Sequence, residues 1–363
     1  MRILAIDTSC DETSAAVTED NKILSNIIWS QASAHAKFGG VMPSLAQRMH
    51  EERIDWVIDK AIKRAKTQFS KIDAVAVTIG PGLSIALGVG IDRAKKIAKE
   101  YDKPVAPVNH VEAHILSPLV APKSKGPLTA KTKHARNVRL RFPSLGLVIS
   151  GGNTVLVKIN KIGSYETLAT TTDDALGEAL DKAARMLGLG YPGGAVLEKI
   201  AQLGNPNKFL LPIPLAGQET RQIFSYSGLK TSFYRLIESN KSKDPRFPTK
   251  QDIYDLAATF QNIAFTHLTR TISYIIKNSK TRYNDLLVGG GVSANNEIRN
   301  RLRRIAKEND IQIHFPYTKK LCGDNAAMIG VTAYLHATAG DFSKDLEIID
   351  RNPNLKLSDI VLK

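Results

Sequence analysis

The chain has 363 residues, of which 43% are hydrophobic and 23% charged, with a formal net charge of +15. Its longest apolar runs are too short to span a bilayer, and two cysteines in such a length exclude a disulfide framework. The length predicts two domains, and the basic excess favours a polyanion as partner, nucleic acid first, although a generally basic proteome gives the same balance. The first residues run directly into an apolar segment, so no leader peptide is expected, and Cys10 and Cys322 fit a reducing cytoplasm.

Residues 2–6 predict a short strand ending at Asp7. The polar turn Thr8-Ser-Cys-Asp-Glu-Thr13 follows, then strands at 14–18 and 22–28. Such a turn offers N–H groups and hydroxyls to an anion, while Asp7, Asp11 and Glu12 bring carboxylates beside it. That mixture suits a phosphate held together with a metal, although an acidic hairpin turn is common without either. Residues 44–66 have helical spacing, and 72–79 read as a buried strand broken by Gly80-Pro-Gly82. Ser84 is expected to cap a helix running to about residue 100, before another strand at 104–108.

His110-Val-Glu-Ala-His114 follows that strand. On a helix, positions i and i+4 share one face, so both imidazoles can reach one ion. The same spacing also serves ordinary solvated or capping histidines. A distant third ligand would favour the ion, and the candidate is Asp324, in a small-residue turn that opens the final helix. A zinc protease needs HExxH, whereas Glu112 stands about 200° round the helix from His110 and points away.

No acidic residue occurs between Glu112 and Glu166, a span holding Lys123, Lys125, Lys131, Lys133, Arg136, Arg139 and Arg141. The part from 120 to 143 reads as a long loop, either a solvated tether or a landing strip for phosphates. Beyond it the pattern restarts. Strands at 144–149, 155–159 and 165–170 enclose the turn Ser150-Gly-Gly-Asn-Thr154. Helices are expected at 174–187, 194–203, 226–238 and 252–277. A strand at 285–288 then enters Gly289-Gly-Gly-Val-Ser-Ala-Asn295 and a helix to about 307, with a last short strand at 311–315.

The second half thus repeats the βββα plan of the first, a duplication of pattern. It predicts an α/β protein of two duplicated lobes (βββαβαβα), similar to actin, Hsp70 and the sugar kinases, with a nucleotide cleft between them. The expected division is an N-terminal lobe over 1–120, a basic loop or insertion over 121–143, a second lobe over 144–323, and a C-terminal helix and tail over 324–363. That last helix is expected to pack back on the first lobe. Glycines 289–291 suit a backbone lying against a base and ribose, with Asn295 bonding ribose hydroxyls.

Ten motifs in order carry a further resemblance. They are Asp7-Thr-Ser-Cys-Asp-Glu-Thr13, Phe38-Gly-Gly-Val-Met-Pro43, Gly80-Pro-Gly82, His110-Val-Glu-Ala-His114, Ser150-Gly-Gly152, Gly177-Glu-Ala-Leu-Asp-Lys182, Tyr191-Pro-Gly-Gly194, Ser225-Tyr-Ser-Gly-Leu-Lys230, Gly289-Gly-Gly-Val-Ser-Ala-Asn295 and Asp324-Asn325. Over nearly its whole length the chain resembles the universal tRNA threonylcarbamoyladenosine transferases, the TsaD type of bacteria, long mislabelled as glycoprotein endopeptidases. The resemblance implies transfer of a threonylcarbamoyl group from threonylcarbamoyl-AMP to the N6 amine of adenosine 37, in tRNAs reading codons that start with A, with release of AMP. It implies His110, His114 and Asp324 as ligands of one divalent metal, iron(II) or zinc. It implies Val148, Ile149, Ser150, Gly151 and Gly152 around the adenylate, with Asp181, Gly194, Asn295 and Glu198 near the nucleoside. Asp11, before Glu12, is the expected proton acceptor. Implied partners are tRNA, a paralogous TsaB-type subunit and a TsaE-type P-loop ATPase, with no membrane.

This sequence departs from the family pattern at Ala113, where glycine is usual, and at Asn153, where histidine is usual. The basic insertion is longer than expected. Two rival readings stand beside this one: a small-molecule kinase of the same superfamily, and a non-catalytic scaffold paralogous to the enzyme.

Overall fold

The computed structural model of the chain describes residues 1–122, 138–337 and 342–359. Most of the basic stretch, including Lys123, Lys125, Lys131, Lys133 and Arg136, therefore lies outside the described residues.

The first sheet grows from an apolar meander: β1 (Arg2–Asp7), β2 (Glu12–Glu19) and β3 (Lys22–Ser30), paired antiparallel. Asp20 takes a left-handed φ of 54° at the tight β2–β3 turn. A short helix α1 (Ala32–Ala36), absent from the sequence reading, precedes α2 (Pro43–Ala65). Next come β4 (Ala74–Gly80), α3 (Ser84–Tyr101), β5 (Val105–Asn109), α4 (His110–Leu116) and the two-residue β6 (Ala121–Pro122). Strands β4 and β5 join in parallel on the β1 side, and β6 on the β3 side, giving the order β5-β4-β1-β2-β3-β6. Ser84 does not cap α3. Leu83 holds the cap position, and its N–H is satisfied across the sheet by the Ser9 carbonyl at 2.9 Å.

The second sheet repeats the arrangement. Strands β7 (Ser144–Ile149), β8 (Thr154–Lys161) and β9 (Ser164–Thr171) form its meander. Helices α5 (Leu176–Met186) and α6 (Gly194–Ala201), strand β10 (Ile223–Phe224), and helices α7 (Ser227–Lys241) and α8 (Lys250–Asn278) follow. Then β11 (Asp285–Gly289), α9 (Asn296–Glu308) and β12 (Gln312–His314) lead to α10 (Ala326–Ala337). The order β10-β9-β8-β7-β11-β12 matches the first sheet strand for strand, with β11 and β12 parallel to β7.

Each sheet has its own apolar core, and a third cluster lies between them. That third cluster combines Val111, Ala113 and Ile115 of α4 and Ala326 to Ala333 of α10 with Val148 and Leu287 of the second sheet. Helix α10 is apolar on nearly every side because it is enclosed on nearly every side. Its closest packing is on β1 and β2, across from the lobe that precedes it in sequence. The two ends of the chain's middle, α4 and α10, are thereby held against each other, and this contact positions the site described next.

Arg141 does not serve as a free phosphate contact. Its guanidinium grips the fully buried Asp285 at 3.2 Å, anchoring the entry to β7 beside β11.

Candidate active site and metal centre

Helix α4 starts where β5 leaves the sheet. Asn109 caps it, its Oδ1 accepting N–H bonds from Val111 and Glu112 at 2.9 and 3.1 Å. This fixes the rotation of the first turn, so His110 and His114 point the same way, ring centroids 4.6 Å apart. Asp324 enters from the turn before α10. Its Oδ1 lies 3.0 Å from His114 Nε2 and 3.6 Å from His110 Nε2. One donor atom from each residue falls within 4.8 Å of the other two.

Glu112 turns to the opposite side of α4, as its position predicts. It is fully buried, and its Oε1 accepts bonds from Tyr165 of β9 at 2.6 Å and His336 of α10 at 2.9 Å. The back of the histidine helix is therefore tied both to the second lobe and to the helix that follows Asp324.

The donor set fits a cation. Adjacent donors around a tetrahedral ion with bonds of about 2.0–2.1 Å stand about 3.3 Å apart, and the separations to Asp324 bracket that value. The field of the site also asks for positive charge. Burial opposes a charge on His110, yet Asp324 and Asp7 outweigh it and push its pKa up to about 10. In the ion-free chain a proton thus stands where a cation would serve. Burial works against ionised Asp324 too, but the two imidazoles hold its carboxyl far below the usual range. His114, buried and beside a charged His110, is shifted down. Behind the cluster, His110 Nδ1 meets Ser9 Oγ at 3.2 Å and Asp7 Oδ2 at 3.6 Å, contacts that would orient the ring with Nε2 ligated.

The cluster opens on a cleft of about 860 Å³ between the lobes. One wall is the β1–β2 turn with Cys10, Asp11 and Glu12; the other is the β7–β8 turn with Ser150, Gly151, Gly152 and Asn153. Burial, then Asp324 and Asp11, push Glu12 up to about 9. His50 of α2 supports this acidic turn from behind, Nε2 bonded to the Cys10 carbonyl at 3.0 Å and Nδ1 to Thr13 Oγ1 at 2.8 Å. Asp181 also lines the cleft, and its Oδ1 accepts the N–H groups of Gly193 and Gly194 at 2.9 and 2.7 Å. Burial nonetheless leaves its pKa raised.

Other expected contacts fall elsewhere. Val148 and Ile149 are fully buried in β7 and offer the cleft no side-chain surface. Asn295 is buried too. Its Oδ1 caps α9 and its Nδ2 donates to Gln261 Oε1 at 2.8 Å, so a ribose would have to displace bonds already made. Glu198 accepts the Asn296 N–H at 2.9 Å, and Gly194 meets Asp181 in place of the cleft. The glycine run divides its labour. A Cβ on Gly289 would lie 1.9 Å from the His114 carbonyl oxygen. Gly290 takes φ +87°, and a Cβ there would lie 2.4 Å from the Ile149 carbonyl oxygen. These two glycines allow β11 to pack on the histidine helix α4 and on β7. Only Gly291 faces the cleft, with open space beyond it.

Residues the sequence reading passed over also shape the cleft. Arg185, one helical turn beyond Asp181, reaches across it and donates to the Gly39 carbonyl at 3.0 Å. Tyr191 opens the Tyr191-Pro-Gly-Gly194 motif, and burial together with Asp11 raises its phenol to about 12. Pro353 has no sequence signal. It arrives because the segment after α10 returns over the first lobe, where Asn352 donates its N–H to the Ile79 carbonyl at 2.7 Å.

These observations define a two-lobed α/β protein of the actin, Hsp70 and sugar-kinase type, with a cation-ready cluster of two histidines and an aspartate at its interlobe cleft. Among solved structures, HypF of T. kodakarensis superposes with a TM-score of 0.58 at 14% identity, over 95% of this chain and 48% of that one. Component A of the (R)-2-hydroxyglutaryl-CoA dehydratase of Acidaminococcus fermentans gives 0.51 at 13% identity, over 93% and 99%. At such identities these likenesses show the fold alone.

Sequence comparison is more specific. The family model described as tRNA N6-adenosine threonylcarbamoyltransferase matches residues 22–331. The protein of that name from Microcystis aeruginosa is 39% identical over 99% of this chain and 98% of its own length. Its counterpart from Thermodesulfovibrio yellowstonii is 42% identical over 94% and 96%. The chain belongs to the tRNA N6-adenosine threonylcarbamoyltransferase family. It is a transferase that threonylcarbamoylates an adenosine N6 amine of tRNA. No helix among the described residues is long and apolar enough to cross a membrane.

Proposed function

We propose that the cleft takes threonylcarbamoyl-AMP and passes its acyl group to adenosine 37 of tRNAs reading codons that start with A. The observation that carries this reading is the meeting, in one cleft, of the cation cluster with the open Ser150-Gly151-Gly152 turn. The N–H groups of Gly151 and Gly152 suit the adenylate phosphate, with no Cβ at either to hold it off, while Ser150 and Asn153 bond to each other and close the turn. The resident ion is iron(II) or zinc, held by His110, His114 and Asp324. When bound it supplies a positive charge against oxygens that become more negative as the acyl carbon is attacked.

The chain's own residues handle the proton. The N6 amine forms a bond to the carbamoyl carbon, the bond from that carbon to the AMP oxygen breaks, and the amine must lose a proton. Asp11, before its neighbour Glu12 in the same wall of the cleft, is the proposed acceptor. Asp181 and Glu198 hold the N-termini of α6 and α9 and so set the shape of the nucleoside end of the cleft.

The division into lobes 1–120 and 144–323, with 121–143 between them and 324–363 returning, suits a cleft that opens and closes on Arg185 and Gly39. The TsaB-type subunit and TsaE-type ATPase are the expected companions, in the cytoplasm. The basic stretch around Lys131, Lys133, Arg136 and Arg139 is proposed to contact tRNA phosphates. Mass spectrometry of nucleosides from unmodified tRNA, incubated with this protein, its companions and synthetic threonylcarbamoyl-AMP, tests the reading. It predicts N6-threonylcarbamoyladenosine with matching AMP, and absence of both would refute it.

A further inference from the structure

A second concave surface lies on the second lobe and shares no lining residue with the cleft or the His110–His114–Asp324 cluster. It is a groove of about 520 Å³ between α8 and α9. Four cations line it: Arg270 and Lys277 from α8, Arg301 and Arg304 from α9. Two carboxylates line it as well, and both are already paired. Glu219 meets Arg270 at 2.6 Å, and Glu297 meets Arg301 at 2.7 Å. Arg301 is further held by the Asn262 side chain at 2.7 Å and Thr266 Oγ1 at 3.0 Å, so it is a fixed part of the floor. Lys277 and Arg304 are exposed, and no ion pair occupies either among the described residues. The groove thus presents two uncompensated cations over a rigid, already neutralised base, with the hydroxyls of Ser273 and Tyr274 beside them.

Its position matters as much as its charge. The segment that leaves β11 puts Gly291 into the cleft and, six residues later, Glu297 into the groove. Along α9, Arg304 stands about 10 Å beyond Glu297 at about 1.5 Å per residue. Cleft and groove are therefore reached in turn by one continuous segment, the short turn at Gly291–Ala294 and the helix α9 that follows it. An RNA arm whose terminal loop delivers a base to the cleft carries two rows of phosphates away from it, and a pair of exposed cations on a fixed floor can meet one row.

We propose that this groove binds the tRNA backbone, with Lys277 and Arg304 each meeting a phosphate, as a docking surface separate from the catalytic cleft. The inference rests on the tRNA-modifying activity of the family and adds to it a location. Contacts of this kind supply affinity and orientation without reading sequence.

The test is binding of an unmodified tRNA substrate to the full-length protein by fluorescence anisotropy across a salt series. The double reversal Lys277→Glu/Arg304→Glu should weaken binding about tenfold or more and lower the log–log salt slope by about two, one per lost phosphate. A matched reversal on α3, Lys96→Glu/Lys99→Glu, makes the same change in net charge at exposed positions of the other lobe. Equal losses in both variants would reduce the effect to overall charge and overturn the proposal. An unchanged Kd and slope in the groove variant, or no binding by the wild type, would overturn it as well. If the reversal unfolds the protein, Lys277→Gln/Arg304→Gln should still lower the slope by about two. Nucleoside mass spectrometry of the wild type reads the transfer activity independently, so failure of the activity and failure of the groove give different results.

Discussion

The turn between β1 and β2 and the turn between β7 and β8 occupy equivalent places in two sheets of matching strand order. The first carries Asp7, Asp11 and Glu12, is propped by His50, and faces His110. The second carries Ser150, Gly151 and Gly152, has no charge, and stands open. On the proposed reading a duplicated scaffold has two different tasks: one lobe gathers negative charge for a cation and a proton, the other offers neutral N–H groups for a phosphate. The difference shows that symmetry of fold places the turns, while residue type decides which reacting part each one meets.

The comparison can be broken most severely on the acidic side. Asp324→Ala removes the carboxylate that joins the two imidazoles. It should strip the ion, as read by elemental analysis of the purified protein, and cut transfer by about a thousandfold or more. Asp11→Asn should lower the turnover number by about 10²- to 10³-fold while the metal content stays at the wild-type level, which separates proton transfer from ion binding. The proton on His110 gives a pH signature that the neutral turn cannot. Its pKa of about 10 means an incoming ion must displace that proton, so apparent metal affinity should rise about tenfold per pH unit from pH 6 to 9. Competition with a chelator across that range measures the slope, and a flat profile would mean that His110 is not held protonated in the ion-free protein.

On the neutral side, glycines predict unlike outcomes. Gly290→Ala forces a Cβ against the Ile149 carbonyl at positive φ and should cost about 1–3 kcal/mol of stability in thermal or denaturant unfolding. Gly151→Ala meets nothing within 4 Å, so it should leave stability within about 0.5 kcal/mol and act instead on adenylate affinity.

Much of this plan was legible beforehand. Period-two and period-3.6 patterns located both meanders and the long helices, since each buries one face against a neighbour. The histidine spacing placed two imidazoles on one helical face, and Glu112 on the other. What the pattern did not carry were contacts between residues far apart in sequence. Tyr165 and His336 on Glu112, or Arg185 across to Gly39, depend on how whole lobes pack and leave no local period. The glycine run misled for a related reason. It reads as backbone exposed to a ligand, yet Gly289 and Gly290 are glycine because protein carbonyls press on them. Asn295 likewise reads as a free amide after a turn, although a helix N-terminus claims its oxygen and Gln261 its nitrogen.

The return of Asn352 and Pro353 over the Gly80-Pro81-Gly82 turn has an outcome for biosynthesis. A ribosome delivers the acidic turn and the histidine helix early, but Asp324 and the Pro353 wall much later. Until then His110 and His114 lack the carboxylate that joins them. The proposed ligand set is thereby complete only after nearly all of the described polypeptide has been made.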